Sequence, residues 1–535
     1  MKYDKLFVGG DLSGIQDYLY NISSRKAAVS LKGRSAKLNE EMQEAYNKIT
    51  NAIAETHGTC EKLYCSGGKF YLTTQNSPTI VAAINRCKEE IIDSFWEMHM
   101  GQLGINISYV TYGESANGEF FVEGHDSDPE KNSGVLWKYV NADFARQKQQ
   151  KFKKLLQENY KAYFEPIRMG ESWHVCAVTG IESDACVLLN DEEEYDEREN
   201  FYVLPIVKDQ IEKGKALSID AQGRIKDFED YATTDGGEKG DTYLGILRMD
   251  VDGLGNRFIK GFDNLDLYKT FSNGVTEFFE KTIEHTLLEE HSRQPITRAV
   301  DKPYSHYLKV IYAGGDDLFI VGRWDKLIDF AALIHARTIE TFNQPAYCWV
   351  DNEGITRRIS ISGGIAIVKP KFPIAKAADL AGEAEEAAKH FSEEKNAFHM
   401  LGKTISWNRN PNLIYPVDLE ERQQNEFEYV NYFKDRFIAL DEKGMSRSIL
   451  HKLMLYSALA DRNATSKKKD FRYVWHMCYF LKRFREPYKE KRKEIHDFCE
   501  QLSSRHNIDS NARSLELIGL AARWAELILR DNNKY

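Results

Sequence analysis

The chain has 535 residues, of which 42% are hydrophobic and 29% are charged, and its formal net charge is −10. This length favours about two to four domains over a single core, and the composition is that of a soluble globular protein. The negative net charge argues against a free-standing nucleic-acid-binding protein, but it leaves room for local basic patches and for RNA contacts shared with partner subunits.

The sequence also lacks the features of secreted and membrane proteins. No apolar run approaches the length of a membrane span, and no secretory signal precedes Gly9-Gly10-Asp11. A cytosolic location is therefore expected, in which the eight cysteines would stay reduced rather than form disulfides.

Three elements occur twice along the chain in the same order. In copy one, an apolar strand, a Gly-Gly hairpin and an alternating strand lie at 6–11, 63–72 and 105–110. In copy two, the corresponding elements lie at 244–250, 310–319 and 359–365. Gly-Gly hairpins are common, but three matches in order argue for a duplication. With helices between the strands, the order β-α-β-β-α-β predicts an α+β chain with two ferredoxin-like domains.

The rest of the chain has a different character. Residues 116–237 are polar and include the acidic run 191–197, which is typical of a solvated loop, whereas residues 417–535 show helical apolar periodicity. We therefore predict a first ferredoxin-like domain, a linker domain, a second ferredoxin-like domain and a C-terminal helical domain at 1–115, 116–237, 238–412 and 413–535.

The second copy carries acids at strand ends that suit metal-dependent chemistry. Asp250 ends its first strand, and Asp316 and Asp317 lie in its hairpin. Phosphoryl transfer from a nucleoside triphosphate needs charge stabilisation and in-line positioning, which two carboxylate-held magnesium ions provide. The three aspartates are therefore predicted to be the catalytic residues of a nucleotidyl-transfer enzyme, with Val251 as a further metal contact beside Asp250.

Two alternatives remain open for the acids. Glycine and aspartate are favoured in plain turns, so the Asp316-Asp317 pair could be only a turn. Asp252 could face the same site, or it could cap the helix expected to begin near Leu254.

Further residues are candidates for binding the nucleotide. Gly314 and Gly315 can take positive φ and would let a triphosphate or a primer end approach the backbone. Lys395 follows a helix predicted at 376–390 and could reach the triphosphate, although a solvated loop lysine is an equally open reading.

Copy one has lost most of the acids. When the two hairpins are aligned on their Gly-Gly pairs, Lys69 and Phe70 take the positions of the two hairpin aspartates. Ser13 takes the position of Asp252, and only Asp11 remains. This copy would be free to bind a second nucleotide, with Lys69 or Ser13 on its phosphates, unless Lys69 is only a surface lysine.

Several motifs resemble the large subunit of type III CRISPR effector complexes, and most closely the Csm-type subunit of subtype III-A. The motifs are Gly10 to Tyr18, Leu31 to Ser35, Tyr312 to Asp317, Ser362 to Ala366, Lys371 to Ile374, Leu380 to Ala384, and Lys395-Asn396 before Trp407. The resemblance extends over nearly the whole chain.

The resemblance implies two palm domains of the polymerase and cyclase type, a linker domain and a C-terminal helical domain. It implies that ATP is converted into cyclic oligoadenylates when a guide CRISPR RNA pairs with target RNA, in a complex with other Csm-type subunits. It also implies Mg²⁺ or Mn²⁺ on Asp250, Val251, Asp316 and Asp317. The ATP contacts that we expect on this basis are Ser13, Gly14, Gly67, Gly68, Lys69, Gly314, Gly315 and Lys395.

The sequence departs from the family pattern in two places. Many members begin with an HD nuclease domain, but here the first palm begins within about ten residues of Met1, so no DNA nuclease activity is expected. Family linker domains often hold zinc through paired Cys-x-x-Cys motifs. Here only Cys176 and Cys186 remain, with His174 as a possible third ligand and no evident fourth, so we expect no structural zinc.

Three other functions are compatible with parts of the sequence. A diguanylate cyclase would pair two active domains from two chains, whereas this chain pairs an active and an inert copy internally. The palm could instead join AMP to another acceptor. Finally, the chain could be a non-catalytic scaffold that binds RNA and subunits through basic stretches of its tail, at 467–469 and 482–493.

Overall fold

A computed structural model describes the chain outside a set of short gaps. The described residues are 3–23, 26–99, 101–115, 118–125, 132–151, 153–165, 170, 173–189, 201–219, 224–233, 242–291, 302–350, 354–416, 419–421, 424–465, 470–503 and 512–531. Among them, no helix is both long enough and apolar enough to cross a membrane.

The chain divides into two compact units. Unit 1 consists of Met1–Tyr231, Gly253–Ser360 and Pro370–Asp379. Unit 2 consists of Ala232–Asp252, Ile361–Lys369 and Leu380–Tyr535. The elements of copy two are distributed over both units, whereas copy one lies wholly within unit 1.

Copy one is an antiparallel sheet with helices between its strands. Its strands are β1 (Lys5–Ser13), β2 (Cys60–Ser66), β3 (Lys69–Gln75), β4 (Gly104–Glu114) and β5 (Phe120–Val122). Its helices are α1 (Ile15–Tyr20), α2 (Ala27–Glu55) and α3 (Pro78–His99). The strand order is β2-β3-β1-β4-β5, so the fully buried run Leu6-Phe7-Val8 of β1 lies at the centre. This order confirms the ferredoxin-like prediction for copy one.

The region after copy one is mainly helical with two small strand pairs. Its helices are α4 (Gly134–Gln149), α5 (Lys153–Phe164), α6 (Pro205–Ala216) and α7 (Phe228–Ala232). Its strands are β6 (His174–Val175), β7 (Glu182–Ser183), β8 (Val187–Leu188) and β9 (Tyr202–Val203), paired β6–β7 and β8–β9. The acidic run 191–197 lies outside the described residues.

Two glycines set the distance between α2 and α6. A Cβ on Gly33 would lie 1.7 Å from the carbonyl oxygen of Gln210, and a Cβ on Gly214 would lie 1.8 Å from that of Val29. The two helix backbones are thus in direct contact at this crossing. Next to it, the buried Arg34 donates to the carbonyl oxygens of Tyr18 and Asn21 at the end of α1. The Leu31 to Ser35 motif therefore has a structural role, which joins α1, α2 and α6.

Copy two repeats the element order of copy one. Its strands are β10 (Leu244–Val251), β11 (Leu308–Gly314), β12 (Asp317–Arg323), β13 (Trp349–Val350), β14 (Thr356–Arg357), β15 (Ile361–Val368), β16 (Ala397–Met400) and β17 (Lys403–Ser406). Its helices are α8 (Leu254–Lys260), α9 (Leu265–Thr276), a π-helical segment (Glu277–Thr286), short 3₁₀ turns (Leu287–Glu289, Tyr304–His306 and Pro345–Tyr347), α10 (Trp324–Phe342) and α11 (Ile374–Lys389). The β11–β12 hairpin belongs to unit 1. In unit 2, β10 pairs with β15, β15 with β16, and β16 with β17.

The C-terminal region is helical, as the periodicity predicted. It contains α12 (Glu426–Glu442), α13 (Ser448–Thr465), α14 (Arg472–Arg485), a 3₁₀ turn (Glu486–Tyr488), α15 (Lys493–Leu502) and α16 (Ala512–Asp531). Within unit 2, a buried ion pair between Glu426 and Arg513 fastens these helices to β17, because Glu426 accepts from the Ser406 amide at 3.0 Å and Arg513 donates to the Thr404 carbonyl at 2.8 Å. The basic stretch 467–469 lies outside the described residues.

The contact of α2 with α6 predicts a stability difference between two glycine substitutions. Gly33→Ala forces the helices apart and should destabilise the chain by about 1–3 kcal/mol. Gly255→Ala in α8, where nothing lies within 4 Å of the added methyl group, should be neutral or stabilise by up to about 1 kcal/mol. Thermal unfolding of the purified proteins measures both changes. Equal midpoints for the two variants would contradict the close crossing.

Candidate active site

Asp250 lies near the end of β10 in a cluster of four charged side chains within unit 2. Lys389 Nζ forms ion pairs with a carboxylate oxygen of Asp250 and, at 2.6 Å, with Oε1 of Glu385. The second oxygen of Glu385 accepts from Arg248 Nε at 3.0 Å. None of the four side chains is more than 24% exposed. Two carboxylates and two cations thus balance one another at the surface of β10.

The periods of a strand and a helix bring these residues together. Arg248 and Asp250 are two positions apart on β10 and so project from the same face. Glu385 and Lys389 are four positions apart on α11 and so are neighbours along the helix.

Two glycines allow α11 to lie directly on the strands. A Cβ on Gly364 of β15 would lie 2.3 Å from the main-chain carbon of Ala384 in α11. A Cβ on Gly382 of α11 would lie 2.8 Å from Arg248 Nη1. Both glycines belong to motifs that carry the family resemblance, and the close packing of helix on strand is a physical reason for them.

The charges around Lys389 determine its protonation. Burial alone would lower the pKa of its ammonium group, but the negative charges of Asp250 and Glu385 and their hydrogen bonds outweigh burial and raise that pKa. Lys389 is therefore a permanent cation at physiological pH.

Asp252 has a buried set of partners in unit 2. One of its carboxylate oxygens accepts from Ser362 Oγ at 3.0 Å and from the Asn396 amide at 3.1 Å. The α8 helix begins after Gly253, whose φ is 70°, and no side chain caps it. The alternative that Asp252 caps this helix is therefore wrong.

Val251 is buried and apolar, so only its main-chain carbonyl could contact a metal, and that contact stays a prediction.

Lys395 and Asn396 form an unusual turn above Asp252. Their φ values are 54° and 46°, both in the left-handed region, which disfavours residues with a Cβ. The hydrogen bond from the Asn396 amide to Asp252 helps to hold two such residues in succession. Lys395 itself is half-buried, and its contact with ATP stays a prediction.

The two hairpins have equivalent turns, both within unit 1. Lys69 begins β3 as Asp317 begins β12, and each follows a two-residue turn. Lys69 therefore occupies the position of Asp317, and Gly68 occupies the position of Asp316. The alignment on Gly-Gly pairs, which placed Lys69 at Asp316 and Phe70 at Asp317, is wrong by one residue.

A bulge in each hairpin confirms this correspondence. The register shifts by one residue before Tyr64 in β2 and before Tyr312 in β11. Each tyrosine then lies three positions before the first turn glycine, Gly67 or Gly315. A bulge adds one unpaired residue to its strand, and because it lies at the same distance from the turn in both hairpins, Gly67-Gly68 corresponds to Gly315-Asp316.

The turns of the two hairpins touch through their main chains. A Cβ on Gly67 would lie 2.6 Å from both the Cα and the amide nitrogen of Gly315. The φ of Gly67 is 57° and that of Gly315 is 67°, a conformation that glycine adopts readily. The acid-bearing turn of copy two is therefore placed against the acid-free turn of copy one.

Tyrosines fill the space around the glycines of the second hairpin. A Cβ on Gly315 would lie 3.3 Å from the Tyr64 hydroxyl, and a Cβ on Gly314 would lie 3.0 Å from the Tyr312 hydroxyl. A side chain at either position would therefore press on a tyrosine hydroxyl, from its own hairpin at Gly314 and from the other hairpin at Gly315. The expectation that they admit a nucleotide stays a prediction.

The same tyrosines remain neutral beside the hairpin acids. Burial raises the pKa of Tyr64, and the charge of Asp316 raises it further. Burial also raises the pKa of Tyr312, with the charges of Asp317 and Asp316 adding to the effect. Asp316 and Asp317 are themselves half-buried, and the phenols of both tyrosines stay protonated beside them.

The acid of copy one is neutralised by a lysine. Asp11 is buried, and its Oδ2 pairs with Lys148 Nζ of α4 at 2.6 Å. Ser13 Oγ donates to the Gly104 carbonyl at 3.4 Å, and Gly14 (φ 86°) precedes α1 as Gly253 precedes α8. Among the predicted ATP contacts of this copy, Lys69 is exposed, whereas Gly68 is buried against Ile15.

The side chains present suit a divalent cation. Asp250 and Glu385 in unit 2 and Asp316 and Asp317 in unit 1 offer carboxylate oxygens, the hard ligands that Mg²⁺ and Mn²⁺ prefer. The Lys389 ammonium group bridges Asp250 and Glu385, which shows that this pair accommodates positive charge between its oxygens.

Glu385, Lys389 and Arg248 are not predicted as site residues by the sequence alone. A Glu-Lys pair four residues apart near the end of a helix was the available signal, but such pairs are common on solvated helix faces. Only the packing of α11 on β10 distinguishes this pair from a surface one.

The two cysteines considered for zinc lie near each other in the linker region. Cys176 is buried, and Cys186 Sγ contacts the His174 carbonyl oxygen at 3.4 Å. The His174 ring stacks on Tyr202 with a centroid distance of 3.5 Å. The expectation that this region holds no zinc stays a prediction.

Two family models match parts of the chain. The model for the second palm domain of Cas10/Cmr2 matches residues 243–399, and the model for domain B of the Csm1 subunit matches residues 5–166. The first contains Asp250, Asp316 and Asp317, and the second contains the sheet of copy one.

Curated relatives and solved structures extend the match. A Cas10/Csm1 protein of subtype III-A from Enterococcus italicus, named a single-strand-specific deoxyribonuclease, is 24% identical over 85% of this chain and 62% of its own length. The homologue from Mycobacterium tuberculosis is 30% identical over 49% of this chain and 29% of its own length. The chain thus spans less than two thirds of these relatives.

A Csm1–Csm4 cassette in complex with pppApA has the same fold, with a TM-score of 0.62 at 17% identity over 98% of this chain and 69% of its own. A cassette with one ATP has a TM-score of 0.62 at 18% identity, with 98% and 70% covered. A cassette with cA4 has a TM-score of 0.60 at 17% identity and the same coverage. These likenesses confirm the α+β fold with palm domains. By these matches the chain is a relative of the Cas10/Csm1 proteins of subtype III-A.

Proposed function

We propose that this chain converts ATP into cyclic oligoadenylates by two-metal nucleotidyl transfer, as part of a type III-A effector complex activated by target RNA. The observation that carries the proposal is the main-chain contact between Gly67 and Gly315. It sets a hairpin with two aspartates against a related hairpin that has none. Such a pair offers one side that activates a nucleotide and one side that only binds a second.

Each predicted residue has a distinct task in this proposal. Asp250, Asp316 and Asp317 hold Mg²⁺ or Mn²⁺, which when bound stabilises charge on the phosphates and lowers the pKa of an attacking hydroxyl. Within unit 2, Glu385 offers a second carboxylate next to Asp250, since Lys389 pairs with both. Lys395 lies on a backbone fixed by the Asn396 bond to Asp252, so its ammonium group can be presented to a phosphate with little loss of freedom.

The names of the related structures support the choice of substrate. Solved Csm1–Csm4 cassettes hold ATP, the linear pppApA and the cyclic cA4. We propose ATP as the substrate, adenylates as the products, and a Csm4-like subunit, guide CRISPR RNA and target RNA as partners. The curated relatives are named deoxyribonucleases, and the proposal does not extend to that activity.

A second candidate is a palm that joins AMP to a different acceptor. The differences between the hairpins favour this candidate. Lys69 takes the position of Asp317, so copy one need not bind a second ATP as the acceptor. Product analysis separates the two candidates directly.

The hairpin acids provide the first test. The complex, assembled with its partner subunits and guide RNA, is incubated with ATP, Mg²⁺ or Mn²⁺ and target RNA, and products are identified by mass spectrometry. The double substitution Asp316→Ala/Asp317→Ala should lower product by at least about 100-fold, since metal ligation contributes several kcal/mol to the transition state. Asp379→Ala, an exposed acid paired with Lys376, is the matched control. The proposal would be contradicted if the wild type gave no adenylate product, or if the double variant gave the same yield as the wild type.

The contact between the turns provides the second test. Gly67→Ala places a methyl group against Gly315 and should reduce synthesis by about 10- to 100-fold through misplacement of the acids. Gly118→Ala carries the same penalty of positive φ, at 77°, but nothing lies within 4 Å of its methyl group. This control should keep activity within about twofold. An equal loss in both variants would mean that the turns need not touch.

The turn above Asp252 provides the third test. Asp252→Ala leaves the Ser362 hydroxyl and the Asn396 amide without their acceptor, so the strained turn should relax. We expect the KM for ATP to rise severalfold, as with Lys395→Ala, and the double variant to be no worse than either single variant. A fall in kcat without a change in KM, or fully additive losses, would show that Asp252 acts independently of Lys395.

A further inference from the structure

We propose that Lys389 is a built-in counter-ion of the metal site, which neutralises Asp250 and Glu385 in the cation-free protein and must move aside before a divalent cation binds. The inference rests on the proposed function, because it takes Asp250 as a metal ligand. It adds a residue that controls when a divalent cation can bind to Asp250 and Glu385.

The position of the ammonium group supports this role. Lys389 Nζ forms ion pairs with both carboxylates, and its distance from Glu385 Oε1 is 2.6 Å. A divalent cation held by the same two side chains would need the same oxygen lone pairs. The lysine and the cation are therefore alternatives at one place rather than neighbours.

The surroundings allow the side chain to leave. Lys389 is the last residue of α11 and its side chain is 24% exposed, whereas that of Glu385, one turn earlier, is 7% exposed. Rotation about its four-carbon stem can move the ammonium group into water without disturbing the helix. Glu385 keeps a cationic partner when the lysine leaves, because Arg248 Nε stays on its other oxygen at 3.0 Å.

Copy one offers an independent comparison. Asp11 holds the position of Asp250, and Lys148 pairs with it at 2.6 Å. That lysine comes from α4, whereas Lys389 comes from α11. Both copies thus place a lysine on the acid near the end of the first strand, and in copy two the same lysine also pairs with a second carboxylate, Glu385.

Binding of Mn²⁺ without nucleotide tests the proposal. Free Mn²⁺ is titrated by electron paramagnetic resonance against the wild-type chain and the Lys389→Met variant, which keeps most of the apolar stem. Removing a unit positive charge beside two carboxylates should tighten binding about tenfold or more. Lys389→Arg should bind like the wild type, and Lys376→Met, which removes an exposed lysine of the same helix, should also leave affinity unchanged. Circular dichroism confirms that each variant is folded.

The Asp250→Asn variant separates this proposal from the proposed function. If the wild type binds Mn²⁺ and Asp250→Asn does not, Asp250 is a metal ligand. The Mn²⁺ affinity of Lys389→Met then decides whether the lysine is a counter-ion. Unchanged or weaker binding by Lys389→Met would overturn the counter-ion proposal while leaving the site intact. Binding by Lys389→Met where the wild type binds none would support it most strongly, and absence of binding in both would overturn it. If Asp250→Asn binds as the wild type does, the metal role of Asp250 fails, and with it the proposed function.

Discussion

Main-chain contact between two glycines, Gly67 and Gly315, is the constraint on which the paired hairpins depend. Each turn must adopt positive φ, and neither can carry a side chain on the side that faces the other. The tyrosines that precede the turns fill the remaining space and stay neutral, so they add no charge next to Asp316 and Asp317. The acids are therefore positioned by two turns in direct main-chain contact, whose conformations have little freedom to change.

The two copies neutralise equivalent aspartates with lysines from different elements. An aspartate that ends a buried strand is costly to leave unpaired. Copy one pairs Asp11 with Lys148 from the helix that follows its sheet, and copy two pairs Asp250 with Lys389 from its own last helix. The acid is retained in both copies, but its partner comes from a different element.

Much of this architecture could be predicted because the same weak strand and hairpin patterns occur in both copies of the duplicated unit. The strand order of copy one, the hairpins at Gly67 and Gly315 and the helical tail follow from apolar periodicity and turn residues. The hairpin alignment failed by one residue because both glycines of copy one form the turn, whereas in copy two Gly314 still belongs to β11 and the turn is Gly315-Asp316. The role of Asp252 and the Glu385–Lys389 pair were missed for a related reason: both depend on which strand a distant helix or turn packs against. Residue spacing within one element cannot reveal contacts between elements.

The placement of both hairpins in a single chain has a further thermodynamic consequence. Enzymes that assemble a comparable site from two identical chains lose translational and rotational freedom each time the site forms, and their site occupancy depends on protein concentration. Here Gly67 and Gly315 belong to one chain and lie in contact within one compact unit. The contact is intramolecular, so it does not depend on protein concentration. In the proposed enzyme, regulation would therefore act on what the paired turns bind rather than on their association.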